Sequence, residues 1–234
     1  KNDSKQDKTE VVSVDDVKFN SSDLVIKGGS TYDVKYKSSF ENPYFSWEQN
    51  DISTYKTDTT RTTNISYTYN KYENNTLTEN ISHDIYNDFT NNIYYVYDKN
   101  NNTITKTFLK NQHDGTDTLV ATWEDIFSLP WILETETDND FIFTLSEDTD
   151  FSTLIEHQNL NLGTTASISN LKASYIYDKT GTKLKSIELS FDIDAKEIEN
   201  NKSFQHFEFS LIAKDIRNTT VEIPEDIINN AVEE

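Results

Sequence analysis

Alternation of apolar and polar residues with a period of two is the feature of this sequence that most constrains its fold. Residues 186–194 read SIELSFDID, and the apolar side chains fall on one side of an extended strand: Ile187, Leu189, Phe191 and Ile193. The same spacing recurs in four further segments, at Tyr32, Val34 and Tyr36, at Ile65, Tyr67 and Tyr69, at Phe141, Phe143 and Leu145, and at Phe207, Phe209 and Leu211. The sequence therefore predicts antiparallel strands, each with one apolar and one polar side.

Turn residues connect these strands in chain order. The segments YVYDKNNNTITKTFL and YIYDKTGTKLKSIELSF both read as a strand, an Asp-Lys turn and a second strand. Their shared element makes Tyr95 and Tyr97 local equivalents of Tyr175 and Tyr177, which favours two hairpins of one meander. The alternative is that the five-residue similarity arises by chance in a chain rich in Tyr and Asp.

Composition and charge exclude several classes of protein. Hydrophobic residues make up 34% of the chain and aromatic residues 12%, which is more than a disordered chain contains. With 41 acidic and 21 basic side chains the net charge is −20, so the surface repels phosphate backbones and we expect no nucleic-acid partner. The chain has no cysteine, which excludes disulfides. It also has no methionine, and we expect that an N-terminal secretion signal has been removed.

The chain reads as one domain behind a short tether. Residues 1–10, KNDSKQDKTE, are polar and of mixed charge, which is typical of a solvated N-terminal segment. Turn clusters such as 70–75 and 198–203 separate the strands, and no long linker interrupts them. We therefore predict a single domain over residues 11–234.

The most hydrophobic block, TWEDIFSLPWIL at residues 122–133, predicts a short helix. Thr122 and Asp125 resemble an N-cap followed by a carboxylate in the first turn, and Pro130 ends or kinks the helix. A sheet with one apolar face must bury that face, so we expect this helix to cover it. Two interpretations remain open: its aromatic residues are plain core, or they face a ligand in a cavity between helix and sheet.

Two further short helices are predicted. One begins near Asp150, with Phe151, Leu154 and Ile155 on one face. The other begins at Pro224, a favoured first helical position, with three residues directed inward: Ile227, Ile228 and Ala231. The predicted fold class is mainly β (α+β), a large antiparallel sheet with a few short helices.

The order of these elements resembles that of Gram-positive surface lipoproteins with the LolA/LppX-like fold. The resemblance is carried by a polar tether, Tyr-rich strands, a Trp-bearing helix, the strand FIFTLSED, the helix FSTLIEHQNL, the hairpin ASYIYDKTGTKLKSIELSFDID and the terminal TTVEIPEDI. It begins at about Val11 and is strongest from Phe141 to Ile227, while the segment from Asn50 to Asn92 is unusually polar.

This resemblance implies a large curved sheet, or half-barrel, with short helices packed on its concave face. It also implies a hydrophobic cavity that accepts acyl chains. A diacylglyceryl-modified Cys just before Lys1 would anchor the protein to the outer face of the bacterial cell membrane. We expect an extracytoplasmic, monomeric lipoprotein whose partners are a lipid or another apolar small molecule and, through the anchor, the membrane.

The expected ligand site lies between the Trp-bearing helix and the sheet. Its helix side comprises Trp123, Ile126, Phe127 and Trp131. Its sheet side comprises Phe141, Phe143, Ile187, Leu189, Phe191, Phe207 and Phe209. Binding would come from desolvated apolar area, and no cofactor or metal is required.

Signals for catalysis or metal binding are weak. The four histidines lack metal-binding spacing, and no GxSxG motif occurs. Glu134, Glu136, Asp138 and Asp140 alternate and could offer oxygen ligands to Ca²⁺. They lack the Gly turn and terminal Glu of an EF-hand loop, so a solvated acidic loop is the preferred interpretation. We therefore expect no enzymatic activity.

An alternative function is a cell-surface adhesin or a carbohydrate- or protein-binding module. Its candidate contacts are the aromatic residues of NPYFSWEQ, namely Tyr44, Phe45 and Trp47. This alternative requires those rings to be exposed.

Overall fold

Strands account for most of the described chain. The computed structural model describes residues 13–19, 29–58, 62–108, 123–157, 160, 167–179, 183–196, 202–215 and 218–233. The strands are β1 (Ser30–Glu41), β2 (Ser46–Thr57), β3 (Thr62–Glu73), β4 (Thr76–Asp88), β5 (Ile93–Asp98), β6 (Thr103–Phe108), β7 (Ile132–Glu136), β8 (Asp140–Thr144), β9 (Ser167–Asp178), β10 (Lys183–Lys196), β11 (Lys202–Lys214) and β12 (Val232–Glu233). The predicted tether, residues 1–10, lies outside the described residues.

These strands form one large, open, curved sheet. Their order is β12-β6-β5-β4-β3-β2-β1-β11-β10-β9-β8-β7. Within the described chain, β12 pairs with β6 in parallel and the other neighbours pair antiparallel. The mainly β class and the antiparallel sheet predicted from the alternation are confirmed.

The sheet consists of two meanders that meet at its centre. Strands β1 to β6 run outward to one edge, and β7 to β11 run back from the other edge. β1 and β11 join the two meanders by pairing from Thr31 opposite Lys214 to Glu41 opposite Phe204. The hairpins β5–β6 and β9–β10 therefore belong to different meanders, and the prediction that they share one was wrong.

Asparagine-rich turns close the outer hairpins. Asn74 and Asn75 have φ values of 46° and 64°, which matches the tight two-residue turn that joins twisted antiparallel strands. Between β5 and β6, Asp98 Oδ1 accepts hydrogen bonds from the backbone N–H groups of Asn100 at 2.9 Å and Asn101 at 3.2 Å. The high Asn content thus has a local structural role.

The two faces of the sheet carry separate apolar clusters. Successive residues of a strand point to opposite faces, and on β4 Ile85 packs against the main core while Tyr86 belongs to a second cluster. We call the face with the main core the inner face and the other the reverse face. Tyr175 belongs to the inner-face cluster and Tyr95 to the reverse-face cluster, so these two residues are not structural equivalents.

The helices divide between the two faces. Residues 123–127 (α1) and Ser152–His157 (α2) contribute Trp123 and Leu154 to the inner-face core, whereas Glu225–Asn230 (α3) contributes Ile227 to the reverse-face cluster. The C-terminal helix thus departs from the expectation that the helices share one face. Ile228, predicted to point inward, is 45% exposed. None of the helices in the described ranges is both long and apolar enough to cross a membrane.

Candidate functional site

Helix α1 is closed by hydrogen bonds at its C-terminal end. The Ser128 N–H donates to Glu124 O at 2.9 Å, and the Trp131 indole Nε1–H donates to Ile126 O at 3.0 Å. The helix ends at residue 127, and Pro130, which has no N–H to continue it, follows, so the predicted end of the helix before this proline is confirmed. The predicted N-cap, Thr122, lies outside the described residues. The Trp131 ring is therefore anchored to the helix that precedes it.

The eleven predicted site residues all belong to the inner-face core. The most exposed of them, Trp131, is only 7% exposed. They are Trp123, Ile126, Phe127, Trp131, Phe141, Phe143, Ile187, Leu189, Phe191, Phe207 and Phe209. The structure thus brings the predicted helix side and sheet side together. It places these residues in mutual contact, as in a packed core.

Tyr175 of β9 is a site residue that the sequence analysis did not select. Its ring contacts the rings of Phe127 at 6.2 Å, Trp131 at 5.5 Å and Phe143 at 6.2 Å between centroids. The alternating hairpin sequence places Tyr175 on a strand, but which face it joins depends on the pairing of β9 with β8 and β10.

A residue of the N-terminal segment also lies on the inner face. Phe19 makes edge-on contacts with Phe143 and Tyr175, each with 4.9 Å between ring centroids. Phe19 is only half-buried, and Val14 and Val17 of the same segment pack against the core. A segment outside the sheet therefore covers part of the predicted site.

An ion pair joins the two helices of the inner face. His157 Nδ1 of α2 lies 2.7 Å from Asp125 Oδ2 of α1. The hydrogen bond and the charge of Asp125 raise the pKa of His157. Asp125 was predicted as a first-turn carboxylate, and its link to α2 is a tertiary contact that the sequence does not reveal.

Toward β2 and β3 the inner face becomes polar. Tyr67 donates its hydroxyl to Asp51 Oδ1 at 3.0 Å, and Gln49 Nε2 donates to the Tyr36 hydroxyl at 3.2 Å. Desolvation raises the pKa of Asp51 to about 6, although the Tyr67 hydrogen bond opposes this shift. No local sequence signal selects Asp51, because the single aliphatic residue of β2, Ile52, is 55% exposed and lies on the reverse face.

Two grooves of about 200 and 170 Å³ lie away from the predicted site. The first is lined by residues that include Glu41, Glu48 and Tyr72, and the second by residues that include Lys35 and Ile52. No residue of the predicted ligand site lines either of these two grooves.

The residues predicted to form an acidic loop belong mostly to a hairpin instead: Glu134 and Glu136 lie on β7, and Asp140 begins β8. Two of these carboxylates form ion pairs. Lys179 Nζ lies 2.6 Å from Glu136 Oε1, and Lys185 Nζ lies 2.6 Å from Asp140 Oδ1. Among the residues that the structure describes, no three His, Cys, Asp or Glu side chains converge as a metal site would require.

No protein-family model matches this sequence, and no curated protein is significantly similar to it.

Proposed function

We propose that this protein is a non-catalytic, extracytoplasmic domain that binds a lipid or acyl chain. In this proposal the sheet is a half-barrel, and the ligand enters between its concave inner face and helices α1 and α2. The observation that carries the proposal is that the aromatic side chains that cover β8–β11 come from segments outside these strands. Phe19, α1 and Phe151, which directly precedes α2, all lie outside this part of the sheet and contact it through side chains.

Such a layer can separate from the sheet without loss of strand pairing. Ring contacts such as Phe127 with Tyr175 at 6.2 Å are individually weak, whereas the strands are held by continuous backbone ladders. An entering acyl chain gains about 0.8 kcal/mol per buried methylene, which offsets the lost ring contacts. Phe19, half-buried between Phe143 and Tyr175, is the side chain that we propose the ligand displaces first.

The proposal includes attachment of the domain to the outer face of the bacterial membrane through an N-terminal lipid anchor. The LolA/LppX-like element order supports it, and in this arrangement the net charge of −20 keeps the body of the protein away from anionic headgroups. In this arrangement the domain is a monomer held by its terminus. We expect the full-length gene to encode a secretion signal followed by a Cys that carries the lipid anchor.

Titration with a fluorescent fatty acid tests the ligand proposal. We expect saturable energy transfer from Trp123 and Trp131 to an anthroyloxy-labelled stearate, in a Trp47→Phe background that removes the third tryptophan. Phe19→Ala should tighten binding by about threefold to tenfold, because removal of the ring that covers the site raises the population of the state that can bind the ligand.

Tyr44→Ala serves as the matched control for this titration, since Tyr44 is 79% exposed on the β1–β2 turn. Its probe affinity should equal that of the parent. Absence of saturable transfer in both parent and Phe19→Ala protein would overturn the proposal.

A second candidate function is a surface-binding module centred on the β1–β2 turn. Tyr44 is 79% exposed and Phe45 38% exposed, and Asn42 Oδ1 accepts both of their backbone N–H groups at 2.9 and 2.8 Å. Trp47 is half-buried and stacks on Phe40, so it is not a free contact. Exposed rings on a fixed turn favour contact with a sugar or a protein. In this case a glycan-array signal would vanish in Tyr44→Ala protein.

A further inference from the structure

Asp51 occupies an unusual position on the inner face of β2. In the register of the sheet it lies opposite Tyr36 of β1 and opposite Tyr69 of β3. Tyr67, two residues from Tyr69 on the same face, donates its hydroxyl to Asp51 Oδ1 at 3.0 Å. A half-buried carboxylate is thus surrounded by three tyrosine rings.

The charge of Asp51 has no cationic partner among the described residues. The nearby Lys71 pairs with Glu73 at 2.8 Å, and Lys37, which lies on the reverse face, pairs with Glu48 at 2.9 Å. Burial raises the pKa of Asp51 to about 6, and no neighbouring cation lowers it. At pH 7.5 the site therefore holds an ionised carboxylate that accepts a hydrogen bond from Tyr67.

The charge of Asp51 affects the pKa values of the three tyrosines. Desolvation is the largest cause of the raised pKa of Tyr36, Tyr67 and Tyr69, and the negative charge of Asp51 raises each of these pKa values further. The three hydroxyls are therefore close enough to Asp51 to be affected by its charge. Neutral tyrosine rings around an anion form the setting in which proteins hold organic ammonium groups, through ion pairing and cation–π contacts.

The tyrosine cluster is continuous with the apolar part of the inner face. The rings of Tyr36 and Phe207 are in edge-on contact, with 5.6 Å between centroids. Tyr67 also packs against the main core. A single amphiphile can thus contact both regions, with its chain among the aromatic residues and its head at Asp51.

We propose that Asp51, Tyr36, Tyr67 and Tyr69 form the head-group site for an amphiphile with an organic ammonium head. This inference rests on the proposed function, because it assigns the polar end of the same ligand. A metal ion fits the site poorly, since Ca²⁺ and Mg²⁺ take several oxygen ligands and Asp51 supplies a single carboxylate.

Calorimetric titration of the full chain with three probes tests this assignment. The probes are octyltrimethylammonium, octyl glucoside with the same chain and a neutral head, and choline, which has the head without the chain. We expect octyltrimethylammonium to bind about tenfold more tightly than octyl glucoside, and choline to bind more weakly than either. Asp51→Asn should remove the tenfold preference for octyltrimethylammonium over octyl glucoside.

Glu188→Gln is the matched control, because it removes one charge from an exposed position on the reverse face. Its preference for the ammonium probe should equal that of the wild-type protein. Equal binding of both octyl probes to wild type would overturn the head-group site and leave the chain site intact. Failure of both octyl probes to bind would overturn the proposed function as well. If choline bound as tightly as octyltrimethylammonium, the chain would add nothing to binding. This result would overturn the inference that one amphiphile contacts both regions.

Discussion

At the scale of single residues, Asp51 should lower the stability of the folded protein at neutral pH. Its pKa is raised from 3.8 to about 6, so between these values the folded protein binds more protons than the unfolded chain. Its contribution to the free energy of unfolding therefore falls as pH rises from about 4 to 6. With allowance for solvent screening of a half-buried group, we expect Asp51→Asn to be more stable by about 1 to 2 kcal/mol at pH 7.5.

Urea unfolding of wild type and Asp51→Asn at pH 3.5 and 7.5 measures this difference. The two proteins should differ little in stability at pH 3.5, because the carboxyl is protonated in the folded protein and mostly protonated in the unfolded chain. A variant less stable than wild type at pH 7.5 would mean that the charge is compensated.

The inner-face aromatics could be predicted from alternation because that signal is local. Asp51 could not, because its environment depends on cross-strand neighbours such as Tyr36 and Tyr69.

At the scale of elements, the Asp125–His157 ion pair should make the closure of α1 over the sheet depend on pH. The pKa of His157 is raised by Asp125, so the pair stabilises the folded protein below the unfolded value of 6.5. This contribution is lost as pH rises through the higher folded pKa. We expect acrylamide to quench Trp123 and Trp131 more strongly at pH 9 than at pH 6.

His157→Gln should abolish this dependence, whereas His83→Gln should retain it, because His83 lies near Asp98 of β5 rather than near α1. Equal dependence in both variants would assign the effect to another group. The helix positions were predictable, since the helical spacing of apolar residues and Pro130 act locally. The face that α3 covers was not, because Ile227 joins Tyr86 and Tyr95 through contacts distant in sequence.

At the scale of the whole molecule, the sheet class follows from the sequence but the strand order does not. Alternation reports how each strand is exposed, and it carries no information on which strands pair. The central pairing joins β1 to β11 across most of the chain. The apparent repeat of Y-D-K elements suggested one meander, but the two hairpins lie on different arms of the sheet.

This arrangement predicts a gradient of backbone stability across the sheet. The central strands carry fully buried inner-face residues, such as Tyr32, Ile187 and Leu211, each 0% exposed. On β4 the inner-face residues Ile81, His83 and Ile85 are half-buried, and the first residues of the strand are exposed. Local opening costs least where few apolar contacts are lost, so amides of β1, β10 and β11 should exchange most slowly and those of β6 and β12 fastest. Hydrogen exchange followed by mass spectrometry of peptic fragments measures this order. Equal protection of β6 and β11 would mean that the two arms open as one unit with the centre.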